Sequence, residues 1–145
     1  MKLSTKGRYG VRLMLDLAQF SYKGPVLLRD ISRRQEISEK YLGHLIPPLK
    51  NAGLIKSIRG AKGGYILGKR ASDIRLSDIV SLLEGPICIV DCVNDPSLCN
   101  RSEHCSSRDV WKEISENTLR ILSGITLEHM VDRQKNKHEE QIYYI

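Results

Sequence analysis

Apolar residues recur at helical spacing over residues 5–22, where Val11, Met14, Leu15 and Ala18 share a face and Ser4 or Thr5 can cap the start. The turn Lys23-Gly24-Pro25 closes that element. A second, shorter pattern with Leu28, Ile31 and Ser32 predicts a helix over about 28–35, and Ser38 is placed to cap a third that carries Tyr41, Leu42, Leu45, Ile46 and Leu49. Pro47 and Pro48 interrupt this third pattern, and a kink or tightening is expected there because proline removes a helical hydrogen bond and crowds the preceding turn. The period then changes. Residues 53–67, GLIKSIRGAKGGYIL, set two short β-branched runs around a glycine-rich tip, which predicts a hairpin. Residues 77–85, SDIVSLLEG, have a cap at Ser77, an apolar face and a glycine stop, so a further helix follows.

Periodicity is lost between Cys88 and Arg108. Asn94, Asp95, Pro96 and Ser97 are turn formers, so this stretch is expected to be a loop. Beyond it, Ser106 or Ser107 caps a helix with Asp109 in its first turn and Gly124 as its stop. Val110, Trp111, Ile114, Thr118, Ile121, Leu122 and Ile125 form one apolar stripe along it, serving both the chain's own core and a partner helix. The charged run from Asp132 to Gln141 is expected to be solvated or disordered, and the apolar Ile142-Tyr143-Tyr144-Ile145 is as suited to docking as to disorder.

Two short helices joined by Gln35-Glu36-Ile37 make a helix-turn-helix, and the following hairpin, with Arg59 and Lys62 at its tip, makes a wing. A glycine-rich basic loop could instead cradle nucleotide phosphates, but no Lys-Ser/Thr pair or strand-to-helix context follows it. Charge favours the DNA reading. Residues 1–75 hold sixteen Lys or Arg against five Asp or Glu, a net of +11, whereas residues 76–145 carry a net of −5. An excess of that size on one half of the chain favours a polyanionic partner over a merely solvated basic face. Lys2, Lys6, Arg8 and Arg12 crowd the start of the first helix, where they oppose its dipole unless phosphate lies near. No stretch approaches the roughly 20 apolar residues of a membrane span, and the N-terminus has no signal-peptide pattern, so a cytoplasmic protein is expected.

That compartment bears on the cysteines. All four fall in one stretch, with spacing C-x3-C-x6-C-x5-C through Cys88, Cys92, Cys99 and Cys105. A chain of 145 residues can bury a core without covalent staples, and a reducing compartment disfavours disulfides. A metal or cluster site is the favoured reading, with redox-active or incidental thiols as the alternatives.

The opening MKLSTKGRYG, residues 37–42 (ISEKYL), residues 49–65 (LKNAGLIKSIRGAKGGY) and the later Cys92, Cys99 and Cys105 resemble the bacterial winged-helix regulators typified by the iron–sulfur cluster regulator IscR. That family also includes the nitric oxide sensor NsrR and the cysteine-metabolism regulator CymR. The resemblance extends to about residue 132. It implies a homodimeric transcription factor, a repressor in type, and it implies that Cys92, Cys99 and Cys105 ligate an iron–sulfur cluster, 2Fe–2S by preference, with 4Fe–4S or zinc as alternatives. Thiolates favour both cluster and zinc, but structural zinc usually draws on tight C-x2-C pairs, and these spacings are longer. The family type has a histidine three residues after its third cysteine, where this chain has Arg108, and a guanidinium offers no lone pair. The fourth ligand is left among Cys88, His104, Asp91, Glu103 and a residue of a second subunit. The family type can also carry a glutamate where this chain has Gly43, so its operator preference is expected to differ.

The expected architecture is mainly α with a small β-hairpin. A winged helix-turn-helix DNA-binding domain (1–75) precedes a linking helix and cysteine loop (76–108), a dimerisation helix region (109–132) and a C-terminal tail (133–145). Lys6, Arg8, Ser38, Lys40, Tyr41, His44, Arg59 and Lys62 are the expected DNA contacts, made to double-stranded DNA with a palindromic operator read by a two-fold dimer. The chain is expected to regulate transcription, of iron–sulfur cluster biogenesis genes in particular, and not to be an enzyme. A nitric oxide-, thiol- or cysteine-responsive regulator of the same fold is the nearer alternative. An iron–sulfur electron carrier, or a zinc-stapled interaction module, is the more distant one. The helix at 77–85 would link the wing to the cysteine loop through packing.

Overall fold

The structure, a computed structural model, describes residues 2–144. Met1 and Ile145, which belong to the opening motif and to the apolar C-terminus, lie outside the described residues. Seven helices and one hairpin follow in the order α1 (Thr5–Phe20), α2 (Leu28–Gln35), α3 (Glu39–Asn51), β1 (Ile55–Ile58), β2 (Gly64–Leu67), α4 (Leu76–Glu84), α5 (Asp91–Asn94), α6 (Ser106–Ser123) and α7 (Leu127–Tyr143). The mainly helical winged helix-turn-helix architecture expected from the pattern is therefore present.

α1 is the central strut. Its buried face, Leu13, Met14 and Leu17, meets Ile31 of α2, Leu42, Leu45 and Leu49 of α3, Ile79 and Leu83 of α4, and Leu127 of α7 in one core. Burial of each such side chain stabilises the fold by roughly 1.5–3 kcal/mol. Ser4 caps the helix by accepting from Gly7 N at 3.2 Å. The helix stops at Phe20 rather than residue 22, and Ser21–Lys23 tightens into a 3-10 turn before Gly24, which adopts φ +127°.

One buried charge sits in this core. Asp16, fully buried, accepts from Arg34 Nε at 2.9 Å, Arg34 Nη2 at 2.7 Å and Gln35 Nε2 at 3.0 Å. Its pairing satisfies the carboxylate and clamps α2 to α1, and the hydrogen bond raises the Arg34 pKa above its ordinary value. The same guanidinium lies 4.0 Å over the Phe20 ring.

The prolines do not end α3. It runs through Pro47 and Pro48 to Asn51 as one helix. Leu45, Ile46 and Leu49 are buried on both sides of the prolines and pin the helix to the core, while the freed acceptors belong to Gly43 and His44, which are exposed.

β1 and β2 pair antiparallel with Ile55 opposite Leu67 and Ile58 opposite Gly64, and Val26 adds a bridge to Tyr65. α4 begins at Leu76, with Arg75 rather than Ser77 as its cap. The Asp78 carboxylate accepts from Arg75 N at 2.9 Å, and Ser77 is buried. Nor is the C-terminal charged run disordered. It is helical within α7, because Thr126 and His129 form a capping box and Leu127 anchors the first turn in the core. Its distal part is solvated, and Ile142, Tyr143 and Tyr144 are 72 %, 92 % and 92 % exposed, undocked against their own chain. Among the described residues no helix is long and apolar enough to cross a membrane.

Candidate functional site

Between α2 and α3, Glu36 takes the left-handed conformation (φ 54°), and Ser32 Oγ donates to Ile37 O at 2.6 Å. This tight turn sets the start of α3 at the surface. Ser38 caps it, accepting from Tyr41 N at 3.1 Å, and Ser38, Lys40, Gly43 and His44 are exposed on its first turns. Leu42, Leu45 and Ile46 hold the opposite face in the core. Ser38 Oγ is thus engaged in holding the helix start that presents Lys40 and His44.

Tyr41 is half-buried, its ring meeting Tyr9 of α1 edge-on at a centroid distance of 5.4 Å. Arg8 and Arg12 lie 5.8 and 5.4 Å from the centroid of the same Tyr9 ring. This aromatic pair ties the basic start of α1 to the start of α3, so that Arg8 and Tyr41 belong to one surface. The helical patterning, carried by Val11, Met14, Leu15 and Ala18, did not single out Tyr9. Arg12 is drawn away from solvent by donating to the carbonyl of Gln35. Lys6 and Arg8 remain exposed.

The wing carries Arg59 and Lys62 on an exposed tip closed by Gly63 N donating to Gly60 O at 3.0 Å. Gly60 sits at φ +112°, and a Cβ on Gly63 would collide with the Ile58 carbonyl, so both glycines are needed by the turn. The tip therefore offers two cations on a short backbone that can follow a groove, with no side chain bulk at either glycine.

A second region begins where α4 ends. Gly85 (φ +88°) turns the chain into a segment of short helical turns: α5 and 3-10 turns at Pro96–Leu98 and Ser102–His104, where a loop was expected. Ser102 Oγ bonds the Pro96 and Cys99 carbonyls at 2.7 and 2.8 Å, closing the middle of the segment on itself. Ser115 of α6 accepts from Ile89 N at 3.1 Å. Arg108 donates through Nε to Cys92 O at 2.9 Å and through Nη2 to Val93 O at 3.4 Å, so the residue standing where the family type has histidine is a staple between α6 and α5.

All four cysteines are free. Cys88, Cys92 and Cys105 are half-buried, Cys99 is exposed, and Asn94 Nδ2 lies 3.1 Å from Cys88 Sγ. Asp91, Glu103 and His104 are exposed. Among the described residues no three His, Cys, Asp or Glu side chains are gathered as a metal ion would require. Three accessible thiols are the donor set an iron–sulfur cluster takes, so the chemistry fits, but holding one would draw the sulfurs together from these positions.

The two regions meet at the start of α1. Its first turn has no acidic residue, yet Glu84, the last residue of α4, brings its carboxylate there: Oε1 accepts from Ser4 N at 3.0 Å, from Gly7 N at 3.1 Å and from Ser4 Oγ. A Cβ on Gly7 would meet Glu84, and one on Gly10 would meet Leu83, so these glycines permit the close approach of α4. Sequence reading missed this contact because it joins residues about eighty positions apart. Packing also redirects the expected link: α4 lies chiefly against α1, rather than joining the wing to the cysteine segment.

A two-helix reading element, a basic wing and a cysteine-bearing segment in this order match one family model, described as an iron-dependent transcriptional regulator, over residues 3–133. The chain belongs to the Rrf2 family. It is 41 % identical to the HTH-type transcriptional regulator CymR of Bacillus subtilis over 145 residues, all of both chains. It is 39 % identical to the HTH-type transcriptional regulator IscR of Photorhabdus laumondii over 135 residues, 93 % of this chain and 82 % of that one. The solved structure of CymR, the global cysteine regulator of B. subtilis, superposes with a TM-score of 0.78 over 92 % of this chain and 98 % of its own, at 41 % identity. These relatives are transcriptional regulators and not enzymes, and this Rrf2 chain is a DNA-binding transcriptional regulator of the IscR/CymR type.

Along α6 of this Rrf2 chain, Val110, Trp111, Ile114 and Ile121 are 51 %, 38 %, 39 % and 66 % exposed, whereas Thr118 and Leu122, and Ile125 just beyond its end, are half-buried. Beside them lies an apolar cavity of 430 Å³, walled by Leu3 and Val11 of the α1 side, Val80 of α4, Leu122 of α6 and Met130 of α7.

Proposed function

We propose that this regulator acts in the cytoplasm as a homodimer paired through the α6 stripe, and that it reads a palindromic double-stranded operator. Residues 1–75 would bind DNA, 76–108 would sense and 109–132 would dimerise, with the rest of α7 as a solvated extension. Lys40, Tyr41 and His44 would face base edges, Arg59 a guanine or narrow minor groove, and Lys6, Arg8 and Lys62 phosphate, with Ser38 at the helix start. The exposed apolar side chains of α6 support a two-fold partner.

Its affinity for DNA would depend on an iron–sulfur cluster, 2Fe–2S in the first instance, held by Cys92, Cys99 and Cys105, with cluster biogenesis genes as targets. Cys88, His104, Asp91, Glu103 or a residue of the second subunit would complete the set. The observation that carries this reading is the grouping of three free thiols on one loosely packed segment that joins the DNA-binding domain to α6. A bound cluster supplies a centre that is gained and lost with iron, sulfide and oxidants. Arg108 keeps α5 against α6, and Ser102 folds the segment on itself, so this chain's own residues set how far the thiols must move.

A second reading, a thiol- or cysteine-responsive regulator, is favoured by the full-length similarity to CymR and by the exposure of Cys99. Anaerobic purification followed by iron, sulfide and zinc analysis with an absorption spectrum separates the two. The cluster reading expects iron and sulfide in the wild type and loss of most of both in Cys99→Ala, with fold and dimer retained. Full iron content in Cys99→Ala, or no iron in the wild type, would favour the thiol reading.

A further inference from the structure

We propose that Glu84 is a positioning residue for DNA binding, the side chain through which the state of the cysteine segment sets the basic N-terminus of α1 on the phosphate backbone. Three observations converge on it. The Glu84 carboxylate accepts from Ser4 N, Ser4 Oγ and Gly7 N, so it holds both the cap and the first free N–H groups of α1. The next residues, Gly85 and Pro86, begin the segment that carries all four cysteines, and Lys2, Leu3, Glu84, Pro86, Ile87 and Cys88 line one cavity of 230 Å³. Gly7 and Gly10 leave room for α4 to approach, so the contact is built into both helices.

The electrostatics give the contact its function. Lys2, Lys6 and Arg8 crowd a helix end that already carries partial positive charge, and Glu84 is the carboxylate that offsets it from outside the helix. While it stays in place, the first turn of α1 is ordered and its cations are presented from a fixed backbone. If residues 86–105 rearrange around their thiols, the pull is delivered two peptides away, at the C-terminus of α4. A displacement of about 1 Å there would stretch all three hydrogen bonds together beyond their normal lengths. The N-terminal arm then frays, and Lys2, Lys6 and Arg8 lose their register on phosphate. Tyr9 carries the same disturbance to Tyr41 on α3 through the edge-on ring contact.

This inference rests on the cysteine-gated reading above, and the test separates the two. DNA binding by full-length wild type, Glu84→Ala and Glu84→Gln is titrated against salt, each protein in two states: reconstituted anaerobically with ferrous iron and sulfide, and stripped with a chelator. The wild type should change affinity between states by roughly 5- to 150-fold, the usual range of coupling between sites. In Glu84→Ala that ratio should fall toward about 1, and the salt dependence should become shallower by about one to two phosphate contacts in both states. Glu84→Gln keeps an acceptor oxygen without the charge and should give intermediate values, which also covers the case in which the alanine variant folds poorly. A purely stabilising role would lower the melting temperature and leave both ratio and salt slope alone, and that result overturns the proposal. Equal responses in wild type and both variants would also overturn it while leaving the cysteine reading intact. A wild type with no response to iron and sulfide would instead remove the cluster reading, and the cluster-driven coupling through Glu84 with it.

Discussion

From Leu13 to Ile79 the chain contributes fourteen apolar side chains to a single core, most of them fully enclosed, together with an Asp16 carboxylate whose partners are in place. From Pro86 to Cys105, by contrast, Ser102 is the one buried residue among those described, and the segment is held by hydrogen bonds that Ser102 and Arg108 donate and one that Ser115 accepts. The N-terminal half is therefore held chiefly by apolar contacts spread over several helices, with the buried Asp16 carboxylate paired to Arg34 among them. The cysteine half has few apolar contacts to lose, so a bound group or a covalent change at sulfur can choose its conformation. On the proposed reading, the sensing segment is drawn from the weakly packed end of the stability range and the DNA-reading residues from the other end.

The largest test of this contrast is a pair of leucines. Leu13→Ala should cost about 2–5 kcal/mol in urea unfolding, as truncation of a fully buried side chain does. Leu98→Ala, in the cysteine segment and 63 % exposed, should change stability by no more than about 0.5 kcal/mol. Comparable losses at both positions would mean that the two regions unfold as one equally packed unit.

Next in size are the DNA contacts. Arg59→Ala should weaken binding to a specific palindromic site by about 1–3 kcal/mol, and Lys62→Ala should weaken binding to all DNA with a shallower salt dependence, both with unchanged melting. If Arg59→Ala leaves affinity and salt slope alone, the wing is not at the DNA.

The smallest effect concerns the staple. Arg108→Ala removes two bonds to α5 carbonyls from a half-buried guanidinium and should alter global stability by about 0.5–1.5 kcal/mol at most. Hydrogen exchange of the amides of residues 91–95 should nevertheless speed up while those of α1 and α3 do not. Faster exchange in α1 as well would show that Arg108 holds more than its own segment.

The sequence by itself determined the elements of the reader. Apolar spacing, the Ser38 cap and the glycine-rich basic tip are local signals, and each of the corresponding elements is present, because cap chemistry and turn conformation act over a few residues. The charge imbalance between the halves and the grouping of the cysteines were equally legible, being properties of the chain rather than of its folding. Other features required tertiary structure. α3 continues through Pro47 and Pro48 because buried Leu45, Ile46 and Leu49 outweigh the local preference. α7 is ordered because Leu127 is anchored in a core made by distant residues. Asp16 with Arg34, Tyr9 with Tyr41, and Glu84 at the start of α1 are each pairs brought together from separate helices. No local period encodes which charge will find which helix end. Only the packing of α4 on α1, at a distance that Gly7 and Gly10 permit, brings the cysteine segment to the N-terminus of the DNA-binding domain.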